Sequence, residues 1–94
     1  MKTFEVTVTS IVKVTLDERA FTPEFFAEYE RHFNPYGTIE RHAEHIGQLA
    51  AREMFSFRRP DEFVEGYGEI GHFGIKAEVT DVETDAIELD QARA

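Results

Sequence analysis

Thr3-Phe4-Glu5-Val6-Thr7-Val8-Thr9-Ser10-Ile11-Val12-Lys13-Val14-Thr15-Leu16 is the stretch that decides the fold. Phe4, Val6, Val8, Val12, Val14 and Leu16 occupy even positions, and Thr3, Glu5, Thr7, Thr9, Lys13 and Thr15 occupy odd ones. A period of two sustained this long predicts one long strand with an apolar face and a wet, Thr-rich face. Ser10 and Ile11 break the alternation, which places a bulge or bend near Thr9–Ile11.

Two helices follow the strand. In Thr22-Pro23-Glu24 the Thr can cap, Pro suits the first helical position and Glu suits the positive end of the dipole. Phe25, Phe26, Tyr29 and Phe33 then form an aromatic face, and Asn34-Pro35-Tyr36-Gly37 ends the helix. Thr38 reads as a second cap. Ile39, Ala43, Ile46, Ala50 and Met54 follow at steps of three and four, the stripe of an amphipathic helix. Gly47 inside that stripe is expected to mark a close backbone approach, because Gly costs up to about 1 kcal/mol there relative to Ala.

Past the break at Arg58-Arg59-Pro60, Phe63-Val64 leads into a Gly-rich loop. Ile75, Ala77 and Val79 alternate with Lys76 and Glu78 as a strand, Thr84-Asp85 reads as a turn, and Ile87 and Leu89 read as a last strand. The expected fold is α+β, in the order β-α-α-β-β. It is a single domain over 1–94, with a three-stranded antiparallel sheet and two helices packed on one face. Fraying is expected at Gln91–Ala94.

Composition narrows the function. The chain has 94 residues, no Cys and nine Phe. A disulfide framework and thiolate metal sites are excluded, and a reducing, cytoplasmic setting is expected. Met1–Leu16 lacks the continuous apolar core of a signal peptide, and no run approaches the length of a membrane span. The net charge is −9. Residues 1–60 are nearly balanced, whereas residues 61–94 hold ten acids against Lys76 and Arg93. Such a field repels nucleic acid and anionic membranes and attracts basic proteins.

Most site patterns fail on context. Gly66-Tyr67-Gly68-Glu69-Ile70-Gly71 matches G-x-G-x-x-G, but it leads into a strand instead of a helix, so dinucleotide binding is not expected. His42 and His45 share one helix face and, with His32 or His72, are the only candidate metal ligands; a helix–loop interface, with hydrogen bonds to backbone or to Glu, accounts for them better. No metal or other cofactor is assigned. Ser10 and Ser56 are the only serines, and without Cys there is little basis for nucleophilic catalysis, so the protein is not expected to be an enzyme. The aromatic set suits a core better than a base-stacking platform, which would need a basic groove.

The acids Glu62, Glu65, Glu69, Glu78, Asp81, Glu83, Asp85, Glu88 and Asp90 remain. Asp81, Glu83 and Asp85 are expected at a hairpin turn, with Glu78 and Glu88 pointing away from the core. Glu65, Glu69, Glu78, Asp81, Glu83, Asp85 and Glu88 are the expected partner-binding residues. Carboxylates on a sheet can imitate spaced phosphates before a Lys- and Arg-lined site. No calcium-binding loop pattern is present.

The run Thr38-Ile39-Glu40-Arg41-His42-Ala43-Glu44-His45-Ile46-Gly47-Gln48-Leu49-Ala50-Ala51-Arg52, with Phe63-Val64-Glu65-Gly66-Tyr67-Gly68, resembles a family of short phage and prophage proteins. The first strand and Phe21-Thr22-Pro23-Glu24-Phe25 are similar too. That family brings no activity or catalytic residues to map. Small acidic phage proteins often block host machinery, CRISPR surveillance complexes included. The resemblance therefore implies an inhibitor whose partner is a basic host protein or ribonucleoprotein. A homodimeric assembly module, paired through a sheet edge or the aromatic helix, is the alternative.

Overall fold

The computed structural model describes residues 1–89. Asp90 of the acidic run, and Gln91–Ala94 where fraying is expected, lie outside the described residues. The order is β1 (Thr3–Thr15), α1 (Pro23–His32), α2 (Ile39–Ala51), β2 (Phe63–Val64), β3 (Gly68–Glu69) and β4 (Lys76–Leu89), with 3-10 turns at Glu18–Ala20 and Ile70–Phe73.

Both helix starts form as their capping residues require. Thr22 Oγ1 accepts the Phe25 amide at 3.1 Å, and Thr38 Oγ1 accepts the Arg41 amide at 3.3 Å. Each bond satisfies one of the orphan donors of a first helical turn. α2 ends at Ala51, so Met54 lies beyond it and is exposed, while Ile46 and Ala50 bury the helix's apolar stripe. Burying a side chain such as Ile46 contributes roughly 2–3 kcal/mol.

The sheet differs from expectation. There are two antiparallel two-stranded sheets, β1 with β4 and a small β2–β3 hairpin, instead of one three-stranded sheet. No turn forms at Thr84-Asp85. β4 runs unbroken and pairs with β1 from Thr15↔Lys76 to Thr3↔Leu89. Nor do both helices cover one face of the sheet. α2 lies on the β1–β4 ribbon, with Gly47 above Val12 and Val14. α1 instead meets α2 and the 67–73 region through rings, such as Phe26 stacked on His42 and Phe25 against Phe73.

The molecule is elongated, 57 × 26 × 18 Å with a radius of gyration of 17.6 Å. A compact chain of this length has a radius near about 12 Å. The excess length is the distal ribbon, Thr3–Ile11 paired with Asp81–Leu89. The core lies at the other end, where Phe21, Tyr29, Ile46, Phe57, Val64, Tyr67, Ile70 and Ile75 are buried together.

The Gly47 expectation is corrected in degree. A Cβ on Gly47 would meet Val14 Cγ2 at 3.7 Å and Val12 Cβ at 4.0 Å, which is ordinary contact. Gly47→Ala is therefore expected to raise stability by up to about 1 kcal/mol, through lower unfolded-state entropy and better helix propensity. The midpoint of urea unfolding reports it.

Candidate functional site

The projecting ribbon is built from one irregularity. Ile11 pairs with Asp81 and Val12 with Val79, so Thr80 is the extra residue of a β-bulge. Its Oγ1 donates to the Ile11 carbonyl at 3.2 Å. The break expected near Thr9–Ile11 is thus present, with the inserted residue on the opposite strand.

A bulge reverses the parity of a strand, and this one brings Glu78, Asp81, Glu83 and Asp85 onto one face, which also carries the exposed Ile11, Ile87 and Leu89. Directly opposed residues share a face. Val12 and Val14, paired with Val79 and Ala77, lie under α2, and the same face continues outward through Ser10↔Val82, Val8↔Thr84, Val6↔Ala86 and Phe4↔Glu88. The opposite face carries Lys13↔Glu78, Ile11↔Asp81, Thr9↔Glu83, Thr7↔Asp85, Glu5↔Ile87 and Thr3↔Leu89. Without the extra residue, Glu78 and Asp81 would fall on different faces.

Four of the expected partner-binding residues therefore share a surface. Glu78, Asp81, Glu83 and Asp85 line one exposed face and make no ion pair among the described residues. They stand in mid-strand, not at a turn. Asp81, Glu83 and Asp85 are alternate residues, about 7 Å apart along the strand, and Glu78 stands on the same face across the bulge. Glu88 is on the other face, at the distal end, 3.7 Å from Lys2 Nζ. Glu65 and Glu69 belong to the β2–β3 hairpin of the body, where Glu69 lies 3.6 Å from His72 Nε2.

Glu62 has a structural task that its place in an acidic run concealed. Its carboxylate accepts the Ser56 amide, the Ser56 hydroxyl and the Phe57 amide, at 3.1, 3.0 and 2.8 Å. These bonds hold the 52–62 loop, in which Glu53 and Phe57 adopt positive φ. An open groove of 1400 Å³ lies between this loop and the base of β4, lined by Met54 and Phe55 together with Lys13, Arg58, Lys76 and Glu78.

His42 is fully buried and both ring nitrogens are engaged. Nε2 is 2.9 Å from the Tyr36 carbonyl, and Nδ1 is 2.8 Å from the Tyr67 hydroxyl. A carbonyl only accepts, so Nε2 carries the proton and Nδ1 accepts from Tyr67. Neither nitrogen is available to a metal. No group of three or more His or acidic side chains suited to a metal occurs among the described residues. His32 bonds to Glu28 at 3.1 Å. In the aromatic set, Tyr29 is buried, Phe25, Phe26 and Tyr36 are half-buried, and Phe33 is exposed.

Burial lowers the pKa of His42 against the opposing pull of the Tyr36 carbonyl, with His45 lowering it further, and burial lowers that of His45. The unfolded chain takes up protons as pH falls through about 6.5, and the folded chain resists. Stability is therefore full above that range and falls as pH drops below it toward the folded pKa values. The urea midpoint is expected to decrease between pH 7 and pH 5, above the range where most carboxylates titrate. A flat profile across that window would contradict the assignment.

The chain matches no protein-family profile, no curated protein and no solved structure. Its site is thus defined by its own geometry. No helix among the described residues is long and apolar enough to cross a membrane.

Proposed function

We propose that the protein acts by binding rather than by catalysis, presenting the acidic face of its ribbon to a basic surface on a nucleic-acid-handling protein. The observation that carries this reading is the row Glu78, Asp81, Glu83 and Asp85 on one face of a projecting element. A row of anions meets the electrostatic demand of a Lys- and Arg-lined nucleic-acid site. A projecting ribbon reaches into a cleft that a compact domain of this size cannot enter. The resemblance to phage proteins makes a bacterial defence ribonucleoprotein in the host cytoplasm, a CRISPR effector complex first, the partner to test.

Affinity capture from a bacterial host lysate at low and high salt tests it. A nucleic-acid-handling protein retained at low salt, released by salt and displaced by added DNA or RNA supports the reading, because screening weakens exposed charge contacts. Retention of no such protein counts against it.

A further inference from the structure

Among the described residues, the distal part of the face opposite the acids has no second layer over it. Beneath α2 the ribbon is covered in the ordinary way, with Val12 and Val14 packed under the helix. Further out the same face continues as Phe4, Val6, Val8 and Val82, each between 52% and 60% exposed. Isolated two-stranded ribbons are marginal in water, and this one has its strands joined only through the body at its inner end. Stable sheets bury their apolar face against another layer.

We infer that a second copy of this chain supplies that layer, the two distal ribbons packing apolar face to apolar face in an antiparallel, two-fold arrangement. This goes beyond recognition through the acidic face and does not depend on it. Three features select a second copy. The first is charge placement. A protein of net charge −9 repels itself, but on this face Glu88 is the only charged residue of the distal ribbon, at its far end beside Lys2. Glu78, Asp81, Glu83 and Asp85 point the other way, so face-to-face packing keeps the two acidic rows on opposite outer surfaces. The second is fit to the fold. Packed layers sit about 10 Å apart, so each ribbon would continue the layer that its partner's α2 begins, and each end would abut that helix. The third is self-complementarity, since an isologous contact needs a patch that matches itself, and Val6 and Val8 lie near the middle of the distal ribbon.

The contact is small. Nine residues extend about 30 Å, and a two-stranded face of that length offers each copy a few hundred Å², below the roughly 800 Å² of a standard interface. The dimer is accordingly expected to be reversible and concentration-dependent.

Sedimentation equilibrium from micromolar to about 1 mM, the weak end of measurable affinity, tests this on the full chain. The wild type is expected to approach twice its monomer mass, and more readily at high salt, which screens the self-repulsion. Val8→Glu places a charge in the contact and should weaken dimerisation by about 100-fold or more, whereas Thr7→Glu, one residue along on the acidic face, should change it far less. Near-UV circular dichroism from the tyrosines of the body checks that each variant is folded. The chain contains no cysteine, so single substitutions give a second measurement independent of affinity. Val8→Cys should form a disulfide-linked dimer on mild oxidation, and Thr7→Cys should not. A wild type that stays monomeric at every concentration overturns the inference. Equal effects of Val8→Glu and Thr7→Glu, or equal cross-linking of the two cysteine variants, also overturn it, because the contact then lies elsewhere. The salt responses separate this result from partner capture, since self-association strengthens with salt and the acidic contact weakens.

Discussion

Replacing His42 by alanine is expected to destabilise the fold by about 4 kcal/mol. Truncating a fully buried ring leaves a cavity that typically costs about 2–5 kcal/mol, and the substitution also deprives the Tyr67 hydroxyl and the Tyr36 carbonyl of their partner. The site has little freedom to collapse, because the imidazole lies among the rings of Phe21, Phe25, Phe26, Tyr29, Tyr36 and Tyr67. Against a total of about 5–15 kcal/mol for a domain of this kind, such a loss leaves a marginal protein. Tyr67→Phe removes one hydroxyl and no ring, and is expected to cost only about 1–2 kcal/mol. Urea unfolding at pH 7.5 measures both. Near-equal losses would mean that the histidine contributes through one hydrogen bond alone, contrary to the packing described.

Gly66→Ala carries the second large effect, about 3 kcal/mol. Gly66 has a φ of +96°, a conformation that resists any Cβ, and its added methyl would stand 2.6 Å from Cε2 of the buried Tyr29 ring. Backbone strain of about 1–2 kcal/mol and forced displacement of a core aromatic therefore add. Gly68 separates the two contributions. Its φ is +71°, but a Cβ there meets nothing within 4 Å. Gly68→Ala should pay only the backbone part, about 1 kcal/mol. Similar losses at the two positions would show that the approach of Tyr29 is not what makes Gly66 necessary.

What was legible in the chain was what local chemistry determines. Thr22 and Thr38 marked the helix starts because a cap acts on amides three residues away. The alternation from Phe4 to Val14 marked β1 because a strand's faces follow from its own parity. β4 was harder to read. Its apolar residues move from odd positions at Ala77 and Val79 to the even position Val82, and return to odd at Ile87 and Leu89. Read locally, with Thr84-Asp85 between, that pattern resembles two strands and a turn. In the fold the first change is the Thr80 bulge, while Ile87 and Leu89 lie on the polar face opposite Glu5 and Thr3. Only pairing with β1, some seventy residues away, distinguishes a bulge from a turn.

The acidic set was legible in the same partial way. Composition located the negative charge in the last third of the chain, but not its division among structures. Glu62 is occupied holding a loop, Glu65 and Glu69 stay on the body, and Glu88 lies on the apolar face. The helix–loop backbone contact expected of His42 is the one it makes to the Tyr36 carbonyl, but its second partner, the Tyr67 hydroxyl, reaches it from a separate loop and was not legible.

The central claim is that one face of the ribbon recognises a basic partner. The most direct test measures binding of the captured partner by the wild type, by the variant carrying Glu78→Gln, Asp81→Asn, Glu83→Gln and Asp85→Asn, and by Thr7→Gln on the same face. The account predicts loss of binding in the fourfold variant and near-normal binding by Thr7→Gln, with the folded body unchanged in both. A fourfold variant that still binds as tightly as the wild type would contradict it.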